Sequence, residues 1–166
     1  MRIVKKLLAK LLPTGTDDQQ PAIAEASEYP SVLDPDKVGA YPALARSGGG
    51  YVWDEVLEYR VWSHPERGAP DLYNGSDYFH AFDNYSAALA FSGSNPGSEV
   101  PLALVLQREH INEPEPGKFE HVEEERIAEW RVDWLARSRR TERTIPDFFS
   151  PNAPPNRIEI LRGEAE

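Results

Sequence analysis

Hydrophobic and polar residues alternate along Tyr51–His64, with the two-residue period of a β-strand. The two faces of this predicted strand carry different side chains: Trp53, Leu57, Tyr59 and Val61 on one, and Asp54, Glu58, Arg60 and His64 on the other. We expect the apolar face to pack on a core. We expect the polar face to line a cleft or to contact solvent.

A second predicted strand, Tyr78–Phe82, is short and aromatic and leads directly into a predicted helix. Asp83 or Asn84 is a suitable N-cap, because its side chain can accept a hydrogen bond from a free amide of the first helical turn. Apolar residues then recur with helical spacing as far as Gly93, a residue type that favours a helix C-terminus.

The second half of the chain predicts further strands. The continuous apolar run Leu102–Leu106 is typical of a central strand buried on both faces, and it continues through Gln107–Ile111. Phe119–Glu123 is a candidate hairpin partner. Alternation returns in Arg126–Trp134, and Arg157–Arg162 is predicted as a last strand.

These elements predict one small α+β domain over residues 41–166, with a mainly antiparallel or mixed sheet of about five or six strands and one or two helices. Residues 13–40 contain several prolines and no periodic pattern, which indicates a flexible linker. Residues 1–12 predict an amphipathic helix that contacts the domain, a partner or a membrane surface. This helix is too short to span a bilayer, so no transmembrane segment is expected.

Composition narrows the classes of partner and compartment. The net charge of −10 argues against a nucleic-acid partner, because phosphate backbones bind basic surfaces. The chain has no cysteine, which excludes disulfides and thiolate chemistry and is compatible with a cytoplasmic location. We therefore expect a cytoplasmic protein whose partner is a small-molecule or protein acceptor.

Arg60 is the first candidate for a binding role. A guanidinium on the polar face of a strand could clamp a phosphate or carboxylate through two hydrogen bonds. The alternative is an ion pair with Glu58 on the same face or with a residue of a neighbouring strand.

The late glutamates Glu123, Glu125 and Glu129 are candidates for chemistry, and Glu125 and Glu129 are the expected catalytic residues. A carboxylate beside a cleft could orient a ribose hydroxyl or act as a general base. The alternative is a solvated acidic run, as an acidic chain commonly has.

Tyr78 and His80 share a face of their predicted strand and could stack on a base or polarise a carbonyl. The alternative is a structural aromatic pair. The histidines lack metal-ligand spacing, so no metal site is predicted. A site that joins His110 and His121 across a hairpin with glutamates is conceivable.

Three segments carry a resemblance to known proteins: GGGYVWDEVLEYRVWSHPERGAP, DYFHAFDNYSAALAFS and EEERIAEW. Through them, about residues 46–162 resemble an uncharacterised family of bacterial proteins. Its members often carry a GNAT-type acetyltransferase label, which implies acetyl-CoA as the donor. An acetyl-CoA site of that fold uses an R/Q-x-x-G-x-G/A turn before a helix. The nearest segment here, Arg46–Gly50, has a different spacing and leads into a strand.

The order of these segments also resembles a compact ADP-ribosyltransferase, which implies NAD as the donor. The roles implied by this resemblance are an NAD contact for Arg60, a nicotinamide wall for Tyr78 and His80, and a catalytic acid for Glu125 or Glu129. The usual Ser-Thr-Ser of the second strand is replaced by His80-Ala81-Phe82. We therefore expect a group transferase with a nucleotide-containing donor, with a non-catalytic binding domain or a protein-interaction partner as the alternatives.

Overall fold

A six-stranded mixed sheet organises the part of the chain that the computed structural model describes, namely the backbone of Lys5–Leu7 and residues 28–166. The strands are β1 (Lys5–Leu7), β2 (Arg46–Ser47), β3 (Glu55–Ser63), β4 (Tyr78–Phe82), β5 (Leu102–Gln107), β6 (His110–Glu115), β7 (Lys118–Val122) and β8 (Arg126–Arg131). The order across the sheet is β1-β4-β3-β5-β8-β2, and β6 and β7 form a separate antiparallel pair.

The described helices are α1 (Tyr85–Ser94), α2 (Thr144–Phe148) and α3 (Arg157–Arg162), with single 3₁₀ segments at Pro35–Lys37, Pro65–Arg67 and Val132–Ala136. The prediction of a small α+β domain with a mixed sheet is therefore confirmed. None of the helices in the described ranges is long and apolar enough to cross a membrane.

The main core lies between the sheet and α1. It contains Tyr59 and Val61 of β3, which alternate toward α1 as predicted, together with residues of β4, β5 and β8. A register shift between Val56 and Glu58 interrupts the alternation. Because of this bulge, Val56 joins the core cluster in place of the predicted Leu57.

The β4–α1 unit agrees with its sequence prediction. Asn84 is the N-cap, and its Oδ1 accepts a hydrogen bond from the backbone N–H of Ala87 at 2.8 Å. Ala88 is the fully buried residue of α1. The helix continues through Gly93 to Ser94, so the predicted stop lies one residue too early.

The N-terminal predictions require correction where the structure describes the chain. Lys5–Leu7 forms a strand parallel to β4, not a helix, and the rest of residues 1–12 lies outside the described residues. Residues 13–27 of the predicted linker also lie outside them. Residues 28–40 pack on β3, since Leu33 N–H donates to Val56 O at 2.8 Å and Tyr59 Oη donates to Pro30 O at 2.5 Å. The domain therefore begins well before residue 41.

Arg157–Arg162 is a helix, and the predicted strand is wrong. Ile158 and Leu161, three residues apart, both pack in a second apolar cluster, as helical spacing requires. The other buried members of this cluster are Tyr51, Val52, Ile111, Ile145 and Phe148. Gly163 ends the helix in the left-handed conformation, at φ 72°. The sequence prediction relied on the two-residue spacing of Ile158 and Ile160, which is too short a pattern to distinguish a strand from one helical turn.

Candidate functional site

Arg60 lies in the middle of β3 on the face opposite α1, and its side chain is fully buried. Its Nε donates to Glu58 Oε1 at 2.7 Å and its Nη1 donates to Glu129 Oε1 at 2.8 Å. Its Nη2 donates to the backbone carbonyl of Pro42 at 2.7 Å. The guanidinium also lies 4.2 Å from the centre of the Phe79 ring. The structure thus shows the alternative ion pair with Glu58, and Arg60 presents no free edge to a ligand.

Glu129 completes this buried network. Its side chain is 17% exposed and also accepts a hydrogen bond from Trp62 Nε1 at 3.2 Å. The sequence grouped Arg60 and Glu129 in one site, and the structure brings them into contact. The polar face of β3 is closed by the segment around Pro42, so it lines neither an open cleft nor solvent.

Tyr78 and His80 lie on the other face of the sheet, toward α1. Tyr78 Oη donates to the carbonyl of Pro70 at 2.9 Å, and the His80 ring lies 4.3 Å from the ring of Phe91 in α1. Burial lowers the pKa of His80, so its neutral form is favoured. The structure therefore separates these two residues from Arg60 and Glu129.

Glu125 lies apart from both the Arg60–Glu129 network and the Tyr78–His80 pair. It lies in the short connection between β7 and β8 and is exposed. It lines an open groove of about 520 Å³ together with residues 44–46, Glu124, Arg126 and Ile127. The predicted catalytic residues Glu125 and Glu129 thus belong to different environments.

A glycine turn lies beside this groove. Gly48, Gly49 and Gly50 all have positive φ, at 58°, 78° and 69°. A Cβ on Gly50 would lie 2.7 Å from Gln107 Nε2 and 2.9 Å from Arg126 Nη2, and the positive φ strains any other residue, so glycine is favoured there. The sequence predicted a turn at these glycines, and the structure confirms that turn.

The backbone is strained at Val52, two residues after Gly50. Val52 is fully buried and has a φ of 68°, a conformation that β-branched residues rarely adopt. Gln107 Nε2 donates to the Val52 carbonyl at 3.1 Å and helps to hold it. Strain of this kind is found preferentially at functional sites.

The guanidinium of Arg126 is hydrogen-bonded through its Nε, whereas its Nη2 has no partner among the described residues. Its Nε donates to Gln107 Oε1 at 2.7 Å, and Gln107 is itself fully buried. Its Nη2 is buried and has no hydrogen-bond partner among the described residues. Burial lowers the pKa of Arg126, and the nearby positive charge of Arg46 lowers it further. An unsatisfied buried donor of this kind is costly unless something else accepts from it.

His110 packs against the same turn, with its Cδ2 3.0 Å from the Cβ position of Gly50. It is 4% exposed, and its Nδ1 has no hydrogen-bond partner in residues 28–166. Burial, and then the charge of Arg126, lowers the pKa of His110 to about 4. The ring is therefore neutral at pH 7.

We call Arg46, Gly48–Gly50, His110 and Arg126 the arginine corner. Neither Arg46 nor Arg126 has a carboxylate oxygen within 4.0 Å among the described residues, although the chain has 28 acidic side chains. Sequence reasoning did not select either arginine, because they lie far apart in the chain. The parallel pairing of Arg46 with Ala128 in β8 brings them together.

Two further polar clusters lie outside the arginine corner, and the sequence predictions did not include the first of them. His64 lies between two carboxylates, with Nδ1 2.9 Å from Asp77 Oδ1 and Nε2 2.8 Å from Glu99 Oε1. This cluster ties the end of β3 to two loops, which is a structural role. The second cluster contains Glu109, His121 and Glu123 at one end of the β6–β7 pair. The sequence had considered His121 with glutamates across this hairpin, but with His110 as the second histidine, and the structure places His110 against Gly50 instead.

No protein-family model, curated protein or solved structure matches this chain. The chemistry of the arginine corner therefore rests on its own geometry.

Proposed function

We propose that the protein binds a phosphate-bearing ligand at the arginine corner, and that this ligand is the nucleotide-containing donor of a group transferase. One observation carries the proposal: Arg126 Nη2 is buried, lacks a partner among the described residues, and belongs to a side chain that lines an open groove beside Arg46. Acetyl-CoA and NAD both contain a pyrophosphate, so the same chemistry serves either donor.

The physical case is electrostatic. Two guanidinium groups in one groove repel each other, and the carboxylate of Glu124 in the same groove offsets part of that repulsion. Neither arginine forms an ion pair among the described residues, so an anion between them would add two attractive contacts. A guanidinium matches the oxygens of a phosphate through paired N–H donors. Gly49 is the exposed glycine of the turn, so its backbone is the part that a ligand can approach closely, whereas protein side chains occupy the space beside Gly48 and Gly50.

Glu125 is the proposed general base, because its exposed carboxylate lines the same groove as Arg46 and Arg126. It would accept the proton of the acceptor's nucleophile as the donated group is transferred. In this proposal Arg60 and Glu129 are supporting residues. Their network fixes Pro42, and the chain then runs four residues to Arg46.

The first test measures the affinity of the purified protein for NAD and for acetyl-CoA by isothermal titration calorimetry, each at low ionic strength. Wild type is compared with Arg46→Gln, which removes an exposed charge and should leave the fold intact. The matched control is Arg131→Gln, an exposed arginine on the opposite end of β8. We expect at least one donor to bind, with at least tenfold weaker binding in Arg46→Gln and unchanged binding in the control.

The outcome separates binding from catalysis. If a donor binds and Glu125→Gln retains that binding but loses transfer, the transferase proposal stands. If a donor binds but wild type transfers nothing to small-molecule or protein acceptors, the protein is a non-catalytic binding domain. If neither donor nor inorganic pyrophosphate binds, the arginine corner is not an anion site and the proposal fails.

A further inference from the structure

The antiparallel pair β6–β7 carries a group of metal-ligand side chains that the arginine corner does not include. One ligand atom from each of Glu109, His121 and Glu123 lies within 4.8 Å of the others. His121 Nε2 and Glu109 Oε2 are already 2.9 Å apart. This cluster therefore offers one imidazole nitrogen and two carboxylate oxygens to a single point in space.

The strand register explains why these residues meet. His110 pairs with Val122 and Ile111 pairs with His121. Continuing the antiparallel register by one residue places Glu109 opposite Glu123. His121 and Glu123 are two residues apart and share a face, so all three side chains project from the same side of the pair.

Two carboxylates lie close together at one end of the β6–β7 pair. Carboxylates that lie directly opposite each other on neighbouring strands are destabilising. Arg140 Nη1 offsets part of the charge, since it donates to Glu109 Oε1 at 2.7 Å. The Arg140 side chain is itself fixed by Asp54, whose Oδ1 accepts from Arg140 Nε at 2.8 Å. Glu123 has no Lys or Arg nitrogen within 4.0 Å in the described part of the chain.

We propose that Glu109, His121 and Glu123 bind a divalent transition-metal ion of the Zn²⁺ type. Zinc binds imidazole nitrogen and carboxylate oxygen at about 2.0–2.2 Å in tetrahedral geometry, so its ligand atoms lie roughly 3.4 Å apart. A rotation of the exposed Glu123 side chain closes the remaining distance. The imidazole favours Zn²⁺ over Ca²⁺ and Mg²⁺, which prefer oxygen ligands.

The surroundings resemble those of a metal site in one more respect. Arg140 holds one oxygen of Glu109 and leaves the other oxygen directed at His121. Outer partners of this kind orient ligating carboxylates and strengthen metal binding. Three protein ligands leave a fourth position for water, so the proposed ion would be accessible to small molecules. This inference is independent of the function proposed for the arginine corner.

The test is isothermal titration calorimetry, in which Zn²⁺ is added to tag-free protein that has been treated with a chelator. His121 is the most informative residue to change, because its side chain is 35% exposed whereas His64, His80 and His110 are buried. We expect one Zn²⁺ per chain in wild type, and at least tenfold weaker binding in His121→Ala and in Glu123→Gln. Ca²⁺ and Mg²⁺ at the same concentration should not compete.

The matched control is Glu120→Gln. It removes the same charge from the neighbouring position of β7, whose side chain projects from the opposite face. Unchanged Zn²⁺ affinity in this variant supports the site, because the acidity of the hairpin is reduced equally. Absence of stoichiometric Zn²⁺ binding in wild type overturns the proposal. Equal affinity in wild type and His121→Ala overturns it as well.

Discussion

Replacing Arg60 with alanine distinguishes a structural arginine from a ligand-binding one. The substitution removes the partner of Glu58, whose carboxylate is fully buried, and also removes the ion pair with Glu129. Breaking one side of a buried ion pair costs about 3–5 kcal/mol, because a charge is left without compensation. Glu58 Oε2 still accepts from the backbone N–H of Gly39 at 2.5 Å, which favours the lower part of that range.

The assay is equilibrium unfolding in urea, with the midpoint and slope determined for wild type and Arg60→Ala. The control is Arg131→Ala, whose side chain is 67% exposed and whose partner Asp133 is also exposed. We expect the control to stay within about 0.5 kcal/mol of wild type. A double variant, Arg60→Met with Glu58→Gln, should recover part of the loss, because the fully buried residue 58 then carries no unpaired charge and only the partly exposed Glu129 lacks its partner.

A small effect would refute this reasoning. If Arg60→Ala unfolds within about 0.5 kcal/mol of wild type, the buried ion pair is not a major contribution to stability. If it also abolishes donor binding while the fold is retained, Arg60 is the donor clamp implied by the resemblance to ADP-ribosyltransferases. Retained donor binding in a destabilised variant supports the structural role.

Three further predictions concern the fold. Asn84→Ala should lower the free energy of unfolding by about 1 kcal/mol in urea titrations, because Ala87 loses its cap; an unchanged midpoint would contradict this. The folded-state pKa of His80 lies below its ordinary value of 6.5, so His80 contributes full stability above pH 6.5 and loses it as the pH falls. His80→Phe should therefore show a smaller difference in Tm between pH 7.5 and 5.5 than wild type does, and an equal difference would count against the assignment. Gly97→Ala should lower the free energy of unfolding by at least about 1 kcal/mol more than Gly75→Ala does. Both glycines have positive φ, but only at Gly97 would a Cβ lie 2.3 Å from a backbone nitrogen, that of Ala69; equal Tm values for the two variants would disprove the clash.

Local sequence patterns predicted the elements whose cause is local. Tyr78–Phe82 was predicted at the observed position, and the helix cap was predicted at Asp83 or Asn84, of which the structure shows Asn84. Strand pattern and cap chemistry both act within a few residues. The buried apolar run was also found, but its strand ends at Gln107 and β6 begins at His110, so the predicted continuation through Ile111 is wrong. Arg157–Arg162 was misassigned because six residues carry too little periodicity to separate a helix from a strand.

The candidate site depends on contacts between distant residues, which periodicity does not contain. Alternation put Arg60 on a polar face but gave no information about the segment at Pro42 that covers it. Arg46 and Arg126 meet only because β2 joins the far edge of the sheet beside β8. The glycine turn was the one local signal at the arginine corner, and sequence alone indicated only that the chain turns there.

The most direct test of the arginine corner is a ¹⁵N–¹H NMR titration of the protein with inorganic pyrophosphate. We predict saturable shifts in the amides of Gly48–Gly50 and in the Nε–H of Arg126, because these groups line or adjoin the proposed anion position. The same titration of Arg46→Gln should require at least tenfold more pyrophosphate. An absence of saturable shifts at these groups, or identical titration curves for wild type and Arg46→Gln, would contradict the proposed site.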